Sequence, residues 1–266
     1  MTRKHFEPRA ATLASDVRAV AVVLSAICVF GALQVEAGQA LGDPPEFALA
    51  TPATASARAE ERCTEAAVDV AAASPDERRL VCAAASRALE RLGRCNILLQ
   101  RPLRIRILDE VRHPHHGGEI FGFFDTAREI VLVTKYDNIP DLVRDTPYSE
   151  LRPLEFYKSL VVHEVVHGVM HQNLTRSPTS NASSEYPAYA LQLDSLPSDE
   201  RGKLLRATDS KSKSDEFRFS DPILAFDPFF FAARAYEHFK TSPNSCARLL
   251  ALLDGEAPFI RPSPRL

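Results

Sequence analysis

The sequence predicts an α+β fold in which a short antiparallel or mixed sheet packs on one buried helix and a mostly helical C-terminal part follows. Three runs have the composition or the apolar–polar alternation of strands, at 103–108, 118–124 and 129–133, and a short polar turn joins the last two as in a hairpin. The next long segment, from about 153 to 173, is apolar nearly all round, which is typical of a buried helix. Beyond it the chain carries signals for helix starts rather than for strands.

The composition is that of an ordinary globular protein. The chain has 266 residues, of which 45% are hydrophobic and 25% are charged. This length allows one sizeable domain, or one domain with appendages. The net charge of −3 gives no electrostatic reason to expect nucleic-acid binding.

The N-terminus has the order of a secretory signal: basic residues, then the apolar run 19–33, then small residues suited to cleavage. This run is shorter than the roughly 20 residues that a membrane span needs, and an uncleaved anchor at 19–33 is the alternative. We therefore predict a signal peptide or anchor at 1–37, a flexible linker at 38–58, one domain at 59–260 and a tail at 261–266. Membrane contact is expected only through an uncleaved N-terminal segment.

Four cysteines lie outside the apolar run, namely Cys63, Cys82, Cys95 and Cys246. An even number in a chain that carries an export signal predicts two disulfides. Four cysteines allow three pairings, and the sequence does not choose among them. Both features predict a periplasmic or extracellular protein.

The remaining segments are predicted from composition and capping. The Ala-rich segment 60–73 is expected to be helical, and a second helix is expected from Pro75 to about Arg91, because Ser74 and Pro75 form a strong start. Further on, 174–184 is expected to be a loop, and a helix is expected to begin at Ser184.

After that helix, the highly charged segment 197–217 is expected to be a mobile surface excursion. Asp227-Pro228 and the segment Pro243 to Cys246 each predict one further helix, and Gly255 is expected to end the last of them.

His163, Glu164 and His167 form the pattern HExxH within the long apolar helix. Residues four apart lie on one helix face, so the two imidazoles can bind one metal ion. Glu164 projects about 100° away from His163, beside the metal, where its carboxylate can take a proton from a water. The alternative is a pair of core histidines that other partners satisfy. A second His-containing run, 113–118, also contains Pro and Gly and favours a solvated turn over a second metal site.

A short sheet, an HExxH helix, a loop and a Glu-bearing helix together resemble the gluzincin zinc peptidases in a compact, minimal form, over about residues 76–260. The run 185–190 also resembles that of uncharacterised secreted bacterial HExxH proteins. The resemblance implies one Zn²⁺ ion bound by His163, His167 and Glu185, with Glu164 as the general base. Glu185 lies at the expected start of a helix, where the positive end of the helix dipole favours its ionised form. Asp194 and Glu200 are the weaker candidates for the third ligand.

The resemblance further implies a peptide or protein substrate, aligned along the strand at 129–133 as the edge of the sheet. One position departs from the family pattern, because many gluzincins carry Asp where this chain has Tyr189. The sequence also shows no complete motif for stabilising an oxyanion, and the candidates are Tyr186, Tyr189, Tyr236, His171 and His238. We predict a secreted zinc metallopeptidase, and the alternative is a catalytically inactive, zinc-stabilised envelope or binding protein on the same scaffold.

Overall fold

The computed structural model describes residues 60–72, 74–114, 117–208 and 219–255. It confirms the α+β fold, with a mixed sheet in the N-terminal half and helices through the C-terminal half. The predicted signal or anchor, linker and tail lie outside the described residues.

The main sheet has five strands in the order β1, β2, β3, β7, β6. Strands β2, β3 and β7 run parallel to one another, whereas β1 and β6 pair antiparallel at the two ends. A separate pair, β4 and β5, is antiparallel. The strands are β1 Glu61–Arg62, β2 Val68–Ala71, β3 Leu103–Leu108, β4 Val111–Arg112, β5 Glu119–Ile120, β6 Gly122–Asp125 and β7 Ile130–Thr134.

Eight α-helices are described. They are α1 Pro75–Gly93, α2 Ile139–Val143, α3 Pro153–Asn173, α4 Asn181–Ser195, α5 Ser198–Ala207, α6 Asp221–Phe226, α7 Pro228–Thr241 and α8 Ser245–Leu253. Helix α1 packs on β2, and α3 packs on β6, β7, α1 and α4. In β3, Leu103, Ile105 and Ile107 are buried while Arg104 and Arg106 are exposed, so this strand has one covered face and one solvent-exposed face, as its alternation predicted.

The prediction of a helix over 60–73 is wrong. This segment forms β1 and β2, joined by a turn, and Val68 and Val70 are fully buried where β2 runs beside β3. Alanine-rich composition is a weak local preference, and pairing with a strand that lies far along the chain overrides it.

The predicted hairpin of 118–124 with 129–133 is confirmed as β6 and β7, although the first run divides into β5 and β6. The prediction that 129–133 forms the edge of the sheet is wrong, because β7 lies inside the sheet between β3 and β6. The edge nearest the HExxH helix is β6, which has a strand partner on one side only among the described residues. A peptide that added a strand to this end of the sheet would therefore pair with β6.

Helix α3 has the predicted bounds and is buried almost all round. Every residue from Phe156 to Met170 is buried except Lys158. Gly168 allows the helix to approach the sheet closely, because a Cβ there would lie 2.8 Å from Leu103 Cδ1. The polar side chains in the middle of this helix therefore need partners within the protein or a bound ligand.

The C-terminal half differs from prediction at two helices. Helix α4 begins at Asn181, because Ser180 accepts the Ser183 N–H as its N-cap, so Pro187 lies inside the helix instead of in its first turn. The mobile excursion is wrong for 198–207, which form α5, and the rest of that segment to 217 is described only at Thr208. Helices α7 and α8 are confirmed, and α6 was not predicted.

Two disulfides are present, as predicted, and the structure selects the pairing Cys63–Cys82 and Cys95–Cys246. The first joins the strand segment at β1 to α1, and the second joins the end of α1 to α8. Disulfides of this kind fit a protein exported to an oxidising compartment. Among the described helices, none combines the length and the apolar character needed to cross a membrane.

Candidate metal centre

Two imidazole rings meet in the middle of α3. His163 and His167 lie one helical turn apart on the same face, and their Nε2 atoms are 3.1 Å from each other. Both residues are buried, with 6% and 5% of their surface exposed. Their two ring nitrogens therefore face one shared point inside the protein.

Glu185 brings a carboxylate to the same point from α4. Its Oε2 lies 3.3 Å from His163 Nε2 and its Oε1 lies 3.4 Å from His167 Nε2. One ligand atom from each of the three residues lies within 4.8 Å of the other two. This buried group of two imidazoles and one carboxylate can hold a metal ion.

The ionisation of Glu185 has a different cause from the predicted one. Glu185 is in the second turn of α4 and not at its start, so the first-turn dipole argument does not apply. Burial alone raises the pKa of a carboxyl, but the close imidazoles of His167 and His163 lower the pKa of Glu185 to about 2. Glu185 is thus ready to bind a cation without losing a proton.

His167 responds to the same contacts. Burial lowers the pKa of this imidazole, but Glu185 and Glu164 outweigh burial and raise it above the ordinary value. The contacts with Glu185 and Glu164 thus favour the protonated form of His167.

Gln192 orients His163. Its Oε1 lies 2.9 Å from His163 Nδ1, and because an amide oxygen only accepts, Nδ1–H is the donor. This contact leaves the lone pair of Nε2 facing Glu185 and His167. The sequence analysis missed Gln192, although it lies seven residues after Glu185, which is two turns along the same face of α4. Tyr189, where many gluzincins carry Asp, packs its ring edge-on against His163 at 4.7 Å.

Glu164 lies beside this group on the side of β6. Its carboxylate is fully enclosed, and Oε2 has no hydrogen-bond partner among the described residues. Burial, followed by the nearby Glu185 charge, raises the pKa of Glu164 although the two histidines act to lower it. The backbone of β6 passes so close that a Cβ at Gly122 would lie 2.8 Å from Glu164 Oε1.

Comparison with protein families identifies the family of this chain but indicates no activity. The chain matches DUF6639, a family of unknown function, over residues 68–262. This chain belongs to DUF6639. Searches of curated proteins and of solved structures gave no match. The match starts at the first residue of β2, so the His163, His167 and Glu185 group lies wholly within the DUF6639 region.

The two weaker candidates for the third ligand have other partners within the DUF6639 region. Asp194 pairs with Arg91 at 3.0 Å and with Lys240 at 3.3 Å. Glu200 is buried and accepts from the backbone N–H of Arg152, 2.7 Å away, where it caps the start of α3. Neither belongs to the group of side chains that meets at His163 and His167.

The predicted oxyanion candidates of this DUF6639 protein separate by position. The Tyr186 hydroxyl forms a hydrogen bond with His238 Nδ1 at 2.7 Å. The guanidinium of Arg201 stacks over the ring of Tyr236. Tyr189 and His171 remain next to the centre, each lining a different space beside it.

Tyr148 was missed by the sequence analysis. It lines the space next to His163 and Glu164, and burial together with the Glu185 charge raises the pKa of its hydroxyl, which therefore stays protonated and can donate. From the His-containing run, His113 is buried, and His115 and His116 lie outside the described residues.

Two spaces of very different size flank the centre. A cavity of about 500 Å³ reaches His167 and extends along His171, the loop before α4, and α8. A second space of about 40 Å³ reaches His163 and Glu164 between β6, Tyr148 and α7. The centre therefore has a large space beside His167 and a small one beside His163 and Glu164.

Proposed function

We propose that this protein is a zinc-dependent peptidase of the gluzincin type. The observation that carries the proposal is the convergence of His163, His167 and Glu185 within 4.8 Å, with the unpartnered carboxylate oxygen of Glu164 beside them. Each element of the HExxH pattern thus has a position that suits its expected role.

The residues present fit a zinc ion. Catalytic zinc centres commonly use three protein ligands drawn from His and Glu and keep one position open. Besides Glu164 Oε2, the buried Glu185 Oε1 also lacks a hydrogen-bond partner among the described residues, and a cation would satisfy it. Zinc bound at such a centre polarises a carbonyl group and makes a water more acidic.

Glu164 is positioned as the general base. Its raised pKa makes it a better proton acceptor than an exposed carboxylate, and its Oε2 is not occupied by another donor. In the proposed reaction Glu164 takes a proton from the attacking water and passes it to the leaving amine as the peptide bond breaks. The space of about 40 Å³ beside Glu164 and His163 is large enough for a water.

Strand β6 is the proposed guide for the substrate backbone. It lies at the end of the sheet and passes directly over Glu164 at Gly122. A peptide that pairs with β6 as an added strand would present its backbone amide next to Glu164. The proposal also includes export to the periplasm or the extracellular space, which the two disulfides support.

A zinc-stabilised scaffold without turnover is the second candidate. The observation in its favour is burial, because His163, His167 and Glu185 are 6%, 5% and 2% exposed. Against it stands the cavity of about 500 Å³ that reaches His167, since a purely structural zinc site has no need of an adjoining cavity.

The replacement Glu164→Gln separates these two functions. Gln has nearly the same shape but cannot accept the proton, so we expect zinc content and the unfolding transition to be unchanged. Cleavage of a mixed peptide library, followed by mass spectrometry, should fall by about 10²–10⁴-fold.

Zinc-loaded wild type that cleaves nothing across several pH values would favour the scaffold. Equal cleavage by wild type and Glu164→Gln would instead refute the assignment of the base. The conservative variant Glu164→Asp, which keeps the carboxylate but shortens its reach, should show an intermediate rate.

A further inference from the structure

We propose that Ser159 is a positioning residue of the metal centre, because it decides which end of the Gln192 side-chain amide faces His163. This inference rests on the zinc centre of the proposed function and requires no peptide cleavage. It concerns a chain of buried polar groups that runs from α3 to the side chain of Gln192 on α4 and back to His163 on α3.

The side-chain amide of Gln192 can take two orientations in the same space. An amide has an oxygen that accepts on one side and an NH2 group that donates on the other, and the two sides have nearly the same shape. In the structure the oxygen lies 2.9 Å from His163 Nδ1 and the nitrogen lies 3.5 Å from Ser159 Oγ. A flipped amide would exchange these two contacts without moving either helix.

Only one of the two orientations suits a metal ion. With its oxygen toward His163, Gln192 accepts the Nδ1–H, so the lone pair of Nε2 faces the metal site, 3.3 Å from Glu185 Oε2. A flipped amide would donate to Nδ1, and a neutral His163 would then carry its proton on Nε2. Since a protonated Nε2 cannot bind a metal ion, the orientation of the amide controls whether His163 can act as a ligand.

Ser159 favours the first orientation because its single proton is already used. Its hydroxyl donates to the backbone oxygen of Phe156 at 2.7 Å, so toward the amide it can only accept. It therefore accepts from the Gln192 nitrogen, whereas a flipped amide would place one acceptor against another. Ser159 and Gln192 are 1% and 3% exposed, and a buried acceptor left without a donor is unfavourable.

The backbone of Gln192 is held by other contacts. Its carbonyl oxygen accepts from the Ser195 hydroxyl at 2.6 Å, and in the same last turn of α4 the Asp194 carbonyl accepts from Arg91 at 3.0 Å. The fold thus fixes where the Gln192 side chain starts. The remaining freedom is the rotation of its amide, which is the property that we assign to Ser159.

The test is a double-mutant cycle on zinc affinity, measured at one pH by competition with a fluorescent chelator. In Ser159→Ala both amide orientations become accessible, and metal-free molecules with the flipped amide cannot bind zinc. We expect zinc affinity to fall by about threefold to tenfold, which is the reduction that follows when only about a third to a tenth of the molecules keep the competent orientation.

The same substitution in Gln192→Glu protein separates positioning from packing. Both oxygens of a carboxylate accept, so no orientation remains for Ser159 to select, and Ser159→Ala should leave the zinc affinity of this protein unchanged. Equal losses in the two backgrounds would show that Ser159 acts through packing alone. An unchanged affinity in both would show that its contact with Gln192 has no effect. Either result would overturn this inference and leave the proposed peptidase function intact.

Ser149→Ala is the matched control for loss of a serine hydroxyl. Like Ser159, Ser149 donates to the carbonyl three residues earlier, here that of Thr146 at 2.7 Å, but it is exposed and lies in the short turn before α3. This variant should bind zinc as tightly as wild type, and circular dichroism verifies that each variant is folded. Loss of zinc affinity in Ser149→Ala equal to that in Ser159→Ala would overturn the assignment of Ser159.

Discussion

Helix α3 is flanked by two different walls, and the contrast between them organises the candidate site. On the side of α4, every ligand nitrogen and oxygen has a near neighbour: Glu185 faces both imidazoles and Gln192 holds His163. On the side of β6, the Glu164 carboxylate faces the bare backbone of Gly122, and its Oε2 has no partner among the described residues.

The difference indicates a division of roles between the two walls. The α4 wall has the fixed, mutually supporting contacts that a metal site needs to hold its ligands in place. Glu185 Oε1 on the α4 wall also lacks a hydrogen-bond partner among the described residues, but a metal ion there would satisfy it. The β6 wall leaves the buried Glu164 Oε2 with unused hydrogen-bonding capacity beside the metal ligands, which has an energetic cost. The pKa of Glu185 is lowered to about 2 while that of Glu164 is raised, which under the proposed function suits Glu185 to bind the metal ion and Glu164 to accept a proton.

Among three perturbations of the two walls, the largest effect is expected on peptide cleavage, when the β6 wall is altered without replacing an ionisable group. In Gly122→Ala the new Cβ would lie 2.8 Å from both Cγ and Oε1 of Glu164, so the carboxylate or the strand must shift. Displacement of a catalytic group by about 1 Å lowers activity by about 10²-fold. We expect peptide cleavage to fall by about this factor while zinc content is retained.

Gly93→Ala is the matched control, because a Cβ there would meet only Leu98 Cδ2 at 4.0 Å. Its activity should equal that of wild type. Full activity of Gly122→Ala would show that the close approach of β6 to Glu164 does not matter to the chemistry.

A smaller effect, on the metal, is expected when the α4 wall is altered. Gln192→Ala removes the acceptor that holds His163 Nδ1–H at 2.9 Å. Loss of such a partner lowers metal affinity by about 10–100-fold. Competition with a fluorescent zinc chelator measures this change directly.

Gln192→Glu is the conservative control, since a carboxylate also accepts from Nδ1–H and should restore most of the affinity. If Gln192→Ala binds zinc as tightly as wild type, the contact between Gln192 and His163 has no part in holding the metal.

The mildest perturbation is a change of pH, which acts on the α4 wall through His167. Contacts with Glu185 and Glu164 raise the pKa of His167 above its ordinary 6.5, and a protonated imidazole cannot bind metal. Apparent zinc affinity should therefore increase with pH through and above 6.5, by about tenfold per unit while His167 is protonated, and then level off.

Chelator competition between pH 5.5 and 8.5, corrected for the chelator's own protonation, measures this dependence. Glu185→Gln, which removes the largest stabilising charge, should bind more weakly and reach its plateau at lower pH. A flat profile across this range in wild type would contradict the raised pKa of His167.

Sequence reasoning succeeded where the controlling interactions are local. Ser74 and Asp227 cap α1 and α7 by accepting backbone N–H groups three residues ahead, at 3.1 and 2.9 Å, and both starts were predicted. The spacing of His163 and His167 is likewise a property of one helix, so their shared face was predictable.

Features set by distant pairing were not predictable. The strand identity of β2 depends on its pairing with β3, and the order of β7 and β6 in the sheet decides which of them is the edge. Glu200 was assigned to a mobile segment, but its carboxylate is buried because it caps α3 through Arg152. Gln192 required knowledge of where α4 packs on α3, which no local pattern supplies.

The most direct test of the central claim is the metal content of purified protein, measured by inductively coupled plasma mass spectrometry, with circular dichroism to verify folding. Wild type should contain about one zinc per chain. His163→Ala, His167→Ala and Glu185→Ala should lose the zinc, whereas Glu164→Gln and the control Asp194→Asn should retain it. Folded wild type that holds no zinc, even after incubation with zinc salt, would contradict the claim that these three residues form a metal centre.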